Sequence, residues 1–172
     1  MGHGRVVGSW MLVAGLAAGC TSAAGTATVA PGPTVVPANA VVTGVVDGDT
    51  IDVRIAGRDE RVRLIGIDTP ETKQPDRPIE CFGPEASAFT ESLLHDGTAV
   101  RLERDVVGRD DYGRLLAYVH RASDGLFVNL EIVRRGFARP LEYPPNTTHA
   151  AAFLEAVRHA ESDDVGLWAA CT

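Results

Sequence analysis

Between residues 41 and 67 the chain reads VVTGVVDGDTIDVRIAGRDERVRLIGI: three alternating, β-branched runs cut by two short glycine turns. Alternation sends every second side chain to one face, and β-branched side chains suit a pleated backbone. The stretch therefore predicts a meander with strands over 41–46, 50–55 and 61–67. Asp47-Gly48 would turn the first strand into the second, and Gly57-Arg58-Asp59 the second into the third. TAVRLERD (98–105) and GRLLAYVHR (113–121) read as two further strands.

Three stretches have helical character. GPEASAFTESLLHDG (83–97) places Pro84 at the first helical position and Glu85 in the first turn. Ala88, Phe89, Ser92 and Leu93 share one face, and Gly97 ends it. VNLEIVRRGFA (128–138) spaces Leu130, Val133 and Phe137 helically behind Asn129 as a cap, and PPNTTHAAAFLEAVRHAESD (144–163) has Asn146 or Thr147 as its cap. Residues 68–82, with Pro70, Pro75 and Pro78, form a loop. The expected fold is α+β, mainly β: a five-stranded barrel of OB type with three packed helices.

The first 40 residues are of another kind. Arg5 is their only Lys, Arg, Asp or Glu, and VVGSWMLVAGLAAG has the length of a signal-peptide core rather than of a membrane span. The run ends in LAAGC (16–20), which resembles a bacterial lipobox with Cys20 as the lipidated residue. A plain secretory signal cut nearby is the alternative. Either reading exports the domain, secreted or held at the cell surface by a lipid anchor. Residues 21–40 are small, uncharged and Pro-spaced, the composition of a flexible linker, and 41–172 form the domain. Beyond Cys20 there are only Cys81 and Cys171. In an exported chain that pair invites a bridge closing about 90 residues, for which chain entropy credits about 4–5 kcal/mol. Free thiols or a zinc pair are the alternatives, but neither Cys has a second Cys or a His at ligand spacing.

Fifteen of the 16 basic side chains and all 23 acidic ones fall after residue 40, so the domain carries a net charge of −8. A body this acidic does not hold nucleic acid by charge alone. The histidines show no triad spacing, and Cys81 has no His partner that would make it a nucleophile.

The chemistry lies in three short stretches: DGDT (47–50), RLIGIDTPE (63–71) and DDYGRLLAYV (110–119). Asp49 follows a turn and Asp68 ends a strand. Two carboxylates, a carbonyl and water are ligands that a hard cation such as Ca²⁺ takes, and nothing soft is present for zinc or copper. Glu71, three residues on, could hold a water near the metal. Arg63 and Arg114 are planar bidentate donors matched to phosphate. Taken singly, DGD is also a hairpin turn and Arg114 also an ion-pair partner for Asp110 or Asp111. Taken together, these parts describe phosphodiester hydrolysis, with a metal to neutralise charge, a carboxylate for the attacking water and two arginines for the phosphate.

DGDT, RLIGIDTPET, FGPEASAFT, DDYGRLLAYV and NTTH occur in the order and near the spacing of the staphylococcal nuclease (thermonuclease) family, and the chain resembles that family from Val41 to Trp168. The resemblance implies an OB-fold barrel with three helices, and a Ca²⁺-dependent endo- and exonuclease of DNA and RNA that leaves 3′-phosphates; nothing in the sequence suggests more than a monomer. It also implies that Asp49, Asp68 and the Thr69 carbonyl hold Ca²⁺, that Glu71 is the general base or water-orienting group, and that Arg63 and Arg114 contact the scissile phosphate. Tyr112 would line the nucleotide pocket. Two departures stand out. Asp111 sits where the pattern often has Lys, and RPLEYPP puts Leu141 or Glu142 at the stacking-tyrosine position, with Tyr143 displaced by one or two residues. Both weaken backbone or base contacts. The rival expectation is a non-catalytic module of the same fold that binds nucleic acid or protein at the cell surface. Such a copy would be expected to lack at least one of Asp49, Arg63, Asp68, Glu71 and Arg114.

Overall fold

A computed structural model describes residues 1–4, 34–72 and 78–171. The expected signal segment beyond residue 4, with Cys20, and residues 21–33 of the expected linker lie outside the described residues. From residue 36 the backbone is joined to the barrel: Val36 N–H donates to Ala122 O, and Asn39 N–H to Val100 O.

Five strands close a barrel: β1 (Ala40–Asp47), β2 (Thr50–Ile55), β3 (Arg58–Leu64), β5 (Ala99–Glu103) and β6 (Leu115–Arg121). The order around it is β1-β2-β3-β6-β5, antiparallel except for the β3–β6 pair, and β5 returns to β1. All five are the alternating runs of the sequence. The first turn falls at Gly48-Asp49, with Asp47 opposite Thr50. The second is tighter than expected. Ala56 and Gly57 both take positive φ, so Arg58 and Asp59 already belong to β3, with Arg58 opposite Ile55. The third strand also stops short. A turn at Ile65-Gly66 separates off β4 (Ile67–Asp68), which pairs with β7 (Arg139–Pro140) in a sheet of its own. Asp68 thus leaves a separate two-stranded ribbon rather than the barrel sheet.

Among the described residues four helices cover the barrel: α1 (Gly83–Leu93), α2 (Val128–Arg134), α3 (Ala150–Ser162) and a short α4 (Leu167–Ala170) not foreseen in the sequence. On α3, Phe153, Ala156, Val157 and Ala160 are buried at helical spacing. The expected face of α1 is rotated: Ala88 and Ser92 are exposed, while Ala86 and Thr90 are buried. Thr90 accounts for the difference, because its hydroxyl donates to Gly48 O at 2.6 Å and so points inward at the β1–β2 turn.

Neither expected cap holds, and tertiary demand is the reason in both cases. Asn129 does not cap α2, whose N-cap is Phe127. It is fully buried, accepting from Val119 N–H and donating to Ile65 O at 2.9 Å each, and it braces β6 against the β3–β4 turn. Asn129→Ala would orphan both groups and is expected to cost about 2–4 kcal/mol, since each buried unsatisfied partner costs about 1–3. The urea unfolding midpoint checks this. At α3, Asn146 is buried and spans both backbone groups of Val107, while Thr148 bonds Asp105. Residues 144–149 therefore stay out of the helix, and His149 is its N-cap.

The Cys81–Cys171 bridge is present, with a Cα–Cα distance of 5.9 Å, and ties the residue before Phe82 to the end of α4.

Candidate active site

The β1–β2 turn, the end of β3, β4 and the loop before β6 meet around one cleft of about 740 Å³. Asp49, Asp68, Thr69 and Glu71 line it, and so do Arg63, Tyr112 and Arg114.

Asp49 is held by its neighbours. Its Oδ2 accepts from Thr69 N–H at 2.9 Å and from the Thr69 hydroxyl at 3.1 Å, and its Oδ1 from the Thr50 hydroxyl at 3.1 Å. All three residues are buried. The turn can approach Thr69 this closely because residue 48 has no side chain: a Cβ on Gly48 would stand 2.7–2.8 Å from the Thr69 side chain. The glycine of DGDT is therefore required by the close approach to Thr69, and not by a positive φ in the turn.

Arg63 projects from β3 with a side chain only 13% exposed. One nitrogen, Nη1, donates to Leu64 O and Ile67 O at 2.7 Å each, which clamps the β3–β4 turn. The other, Nη2, lies 3.0 Å from Asp49 Oδ2 and 3.0 Å from Asp68 Oδ1. A single positive nitrogen thus bridges the two carboxylates.

Arg114 is set by the loop DDYGR. Asp110 Oδ1 accepts from the backbone N–H of Tyr112 and Arg114, at 3.1 and 2.9 Å, and Gly113 N–H donates to Asp110 O. Asp110 Oδ2 accepts from Arg114 Nε at 2.7 Å. The ion pair foreseen as an alternative role for Arg114 is therefore real, and it aims the guanidinium into the cleft. Tyr112 is 87% exposed, with Arg114 Cζ 5.5 Å from its ring centroid. Tyr143 lies outside the main cleft, at a hollow of about 120 Å³ that it shares with Arg63 and Arg114.

Three charged cleft residues carried no site signal in the sequence. Asp47, Glu80 and Arg61 line the same space. Asp47 was hidden in its own turn motif. Glu80 was hidden by the proline-rich stretch that separates it from Glu71. Arg61 had only its alternation with Arg63 as a signal, and Asp52 engages it through two hydrogen bonds.

So many carboxylates in one cleft oppose each other's ionisation. Burial pushes the Asp47 carboxyl up to about 6, with the charges of Asp49 and then Glu71 adding to it. Asp68 is also raised, by desolvation in the cleft first; Arg63 pulls it back and Asp49, Glu80 and Glu71 add to the rise. Because Asp47 ionises near 3.8 when unfolded and only near 6 when folded, stability is lost progressively as pH rises from about 4 to about 6, and the full penalty remains above that. Asp47→Asn is therefore expected to raise the melting temperature of the cation-free protein at pH 8 and to leave it near the parent's at pH 3, below the unfolded-state value. Equal shifts at both pH values would refute this.

Among the described residues, no three His, Cys, Asp or Glu side chains converge as a ready-made metal cage. The cleft nevertheless fits a hard divalent cation. Its donors are all oxygen, its carboxylates resist sharing one space, and the gap between Asp49 and Asp68 already attracts the positive charge of Arg63. Such an ion would take two carboxylates and complete its shell with backbone oxygen and water.

An OB-type barrel carrying a cleft of carboxylates and two aimed arginines defines an enzyme of phosphodiester hydrolysis. Sequence comparison agrees. The model of the family described as "Staphylococcal nuclease homologue" matches residues 61–170. The thermonuclease of Staphylococcus intermedius is 43% identical over 128 residues, covering 74% of each chain. The thermonuclease of Staphylococcus hyicus is 39% identical over 127 residues, covering 74% of this chain and 73% of its own. Endonuclease YncB of Bacillus subtilis is 38% identical over 132 residues, 76% of this chain and 61% of its own. The chain belongs to the staphylococcal nuclease homologue family, and by that membership it is a nuclease, a hydrolase.

Proposed function

We propose that this chain is an exported, Ca²⁺-dependent nuclease that hydrolyses DNA, and RNA as well, to products ending in 3′-phosphates. The observation that carries the reading is the bridging of Asp49 and Asp68 by Arg63 in a cleft that also holds Glu71 and Arg114. Asp49 and Asp68, with the Thr69 carbonyl, would hold Ca²⁺, which when bound supplies charge neutralisation and Lewis acidity at the phosphate. Arg63 would then turn from the carboxylates to a non-bridging phosphate oxygen while Nη1 keeps the β3–β4 turn closed. Arg114, steadied by Asp110, would take a second phosphate oxygen and stabilise the extra charge of the pentacoordinate transition state. Glu71 would orient the attacking water and accept its proton. Cleavage of the P–O5′ bond leaves the phosphate on the 3′ end. Tyr112, exposed beside Arg114, would line the nucleotide pocket, with Tyr143 contributing from its neighbouring hollow.

The acidic surface and Asp111 support weak backbone affinity with a shallow salt dependence. Export rests on the sequence before residue 21, with Cys20 as the lipid-bearing residue, and intact mass tests it. Cleavage of single-stranded DNA, duplex DNA and RNA in millimolar Ca²⁺, repeated with excess EGTA, tests the activity. Cleavage that stops in EGTA and leaves 3′-phosphates is expected. A folded, oxidised protein that cleaves none of these substrates would overturn the reading in favour of a binding module.

A further inference from the structure

Glu71 stands just after Pro70 on a segment with no regular secondary structure, so something else must fix it. Its carboxylate accepts from Thr72 N–H at 2.9 Å, and three further features at the far end of the loop hold its backbone. Glu80 meets Glu71 twice: Glu71 N–H donates to Glu80 Oε2 at 3.1 Å, and Glu80 N–H donates to Glu71 O at 3.0 Å. Three residues on, the start of α1 lies against the same backbone. A Cβ on Gly83 would stand 2.8 Å from Thr72 Cγ2 and 3.1 Å from the carbonyl oxygens of Pro70 and Glu71. Between Glu80 and Gly83, the chain is fastened to the rest of the molecule. Cys81 is bonded to Cys171 at the end of α4, and the Phe82 ring stacks on Phe137 at 5.2 Å.

We infer that Glu80 is a positioning residue for Glu71, and that the Cys81–Cys171 bridge holds Glu80 in place, so that full activity requires the oxidised protein. The inference rests on the role of Glu71 proposed above. The chemistry of closure is thiol–disulfide exchange. The two thiols lose their protons, two electrons pass to a disulfide donor, and the donor departs as two thiols. The nuclease then becomes fully competent only where such donors persist. The bridge acts on the rate by geometry: neither cysteine lines the cleft, and a displacement of the general base by about 1 Å can cost about a hundredfold.

The test compares the full-length chain, Glu80→Ala, Glu80→Gln and Cys81→Ser/Cys171→Ser. Glu80→Ala is expected to lower kcat about tenfold to a hundredfold with little change in KM or melting temperature, because the substrate contacts remain. Glu80→Gln keeps an oxygen acceptor for Glu71 N–H and is expected to recover to within about threefold of the parent. Reducing the parent with a dithiol, or removing both cysteines, should lower kcat about tenfold, whereas reducing Glu80→Ala should add less than about twofold, because the two parts act as one unit. Amide hydrogen exchange at Glu71 gives an arm free of catalysis: it should quicken in Glu80→Ala and in the reduced parent but not in Glu80→Gln. Unchanged exchange and rate in Glu80→Ala would overturn the inference. A Glu80→Gln variant as slow as Glu80→Ala would do the same, by assigning Glu80 a role through its charge. Should the oxidised parent fail to cleave in Ca²⁺, the proposed function falls, and the exchange measurements alone decide the positioning.

Discussion

Glu71→Gln is expected to lower kcat about a thousandfold while KM, Ca²⁺ affinity and the fold stay close to the parent's. Removal of a positioned general base costs about 10²- to 10⁴-fold, and the amide cannot accept a proton from water. The substitution keeps the size of the side chain and an oxygen for the hydrogen bond that Thr72 N–H now gives to Glu71 Oε1 at 2.9 Å. Stability should move the other way. Glu71 adds to the repulsion that raises Asp47 and Asp68, so the neutral variant should melt no lower than the parent without cation and somewhat higher at pH 8. Steady-state cleavage with thermal melting reads both. A variant that cleaves at the parent rate would remove Glu71 from the mechanism. One that loses activity because it unfolds would show the residue to be structural.

Arg114→Ala is the second large effect, again about a thousandfold in kcat, because a bidentate donor aimed at developing phosphate charge has no substitute in this cleft. Arg63 has only Nη2 to offer a phosphate oxygen of its own, since Nη1 holds the β3–β4 turn through Leu64 O and Ile67 O, and Arg61 is engaged by Asp52. The variant also leaves Asp110, 6% exposed, with backbone donors only. A stability loss of about 1–2 kcal/mol should therefore accompany the rate loss. Arg114→Lys separates the two: it restores charge near Asp110 and most of the stability, but not the two-point grip. Equal activity in Arg114→Lys and the parent would reduce Arg114 to a general positive field.

The barrel was legible because its strands announce themselves locally: half-buried faces impose alternation, and glycine turns punctuate it. What depended on distant partners was not legible. Asn129 and Asn146 look like helix caps, and each is instead spent on backbone groups of another element, Asn146 on Val107. The strand through RVRLIGI looks continuous, yet it breaks because Ile67 and Asp68 pair with Arg139 and Pro140, about 70 residues later. The site divides in the same way. Asp49, Arg63, Asp68, Glu71 and Arg114 could be read from motif order, and they line one cleft. Glu80 and Asp47 carry no signal of their own until the fold brings them to that cleft.

The most direct test is the Ca²⁺ concentration needed for cleavage by the oxidised full-length chain and by Asp68→Asn. Asp68 leaves β4 with its side chain 58% exposed, so the substitution should leave the fold intact. The variant is expected to need at least about tenfold more Ca²⁺ than the parent for half-maximal rate, since it loses one of two carboxylate ligands. A parent that cleaves equally well in excess EGTA, or a variant with the parent's Ca²⁺ requirement, would contradict a metal site at Asp49 and Asp68.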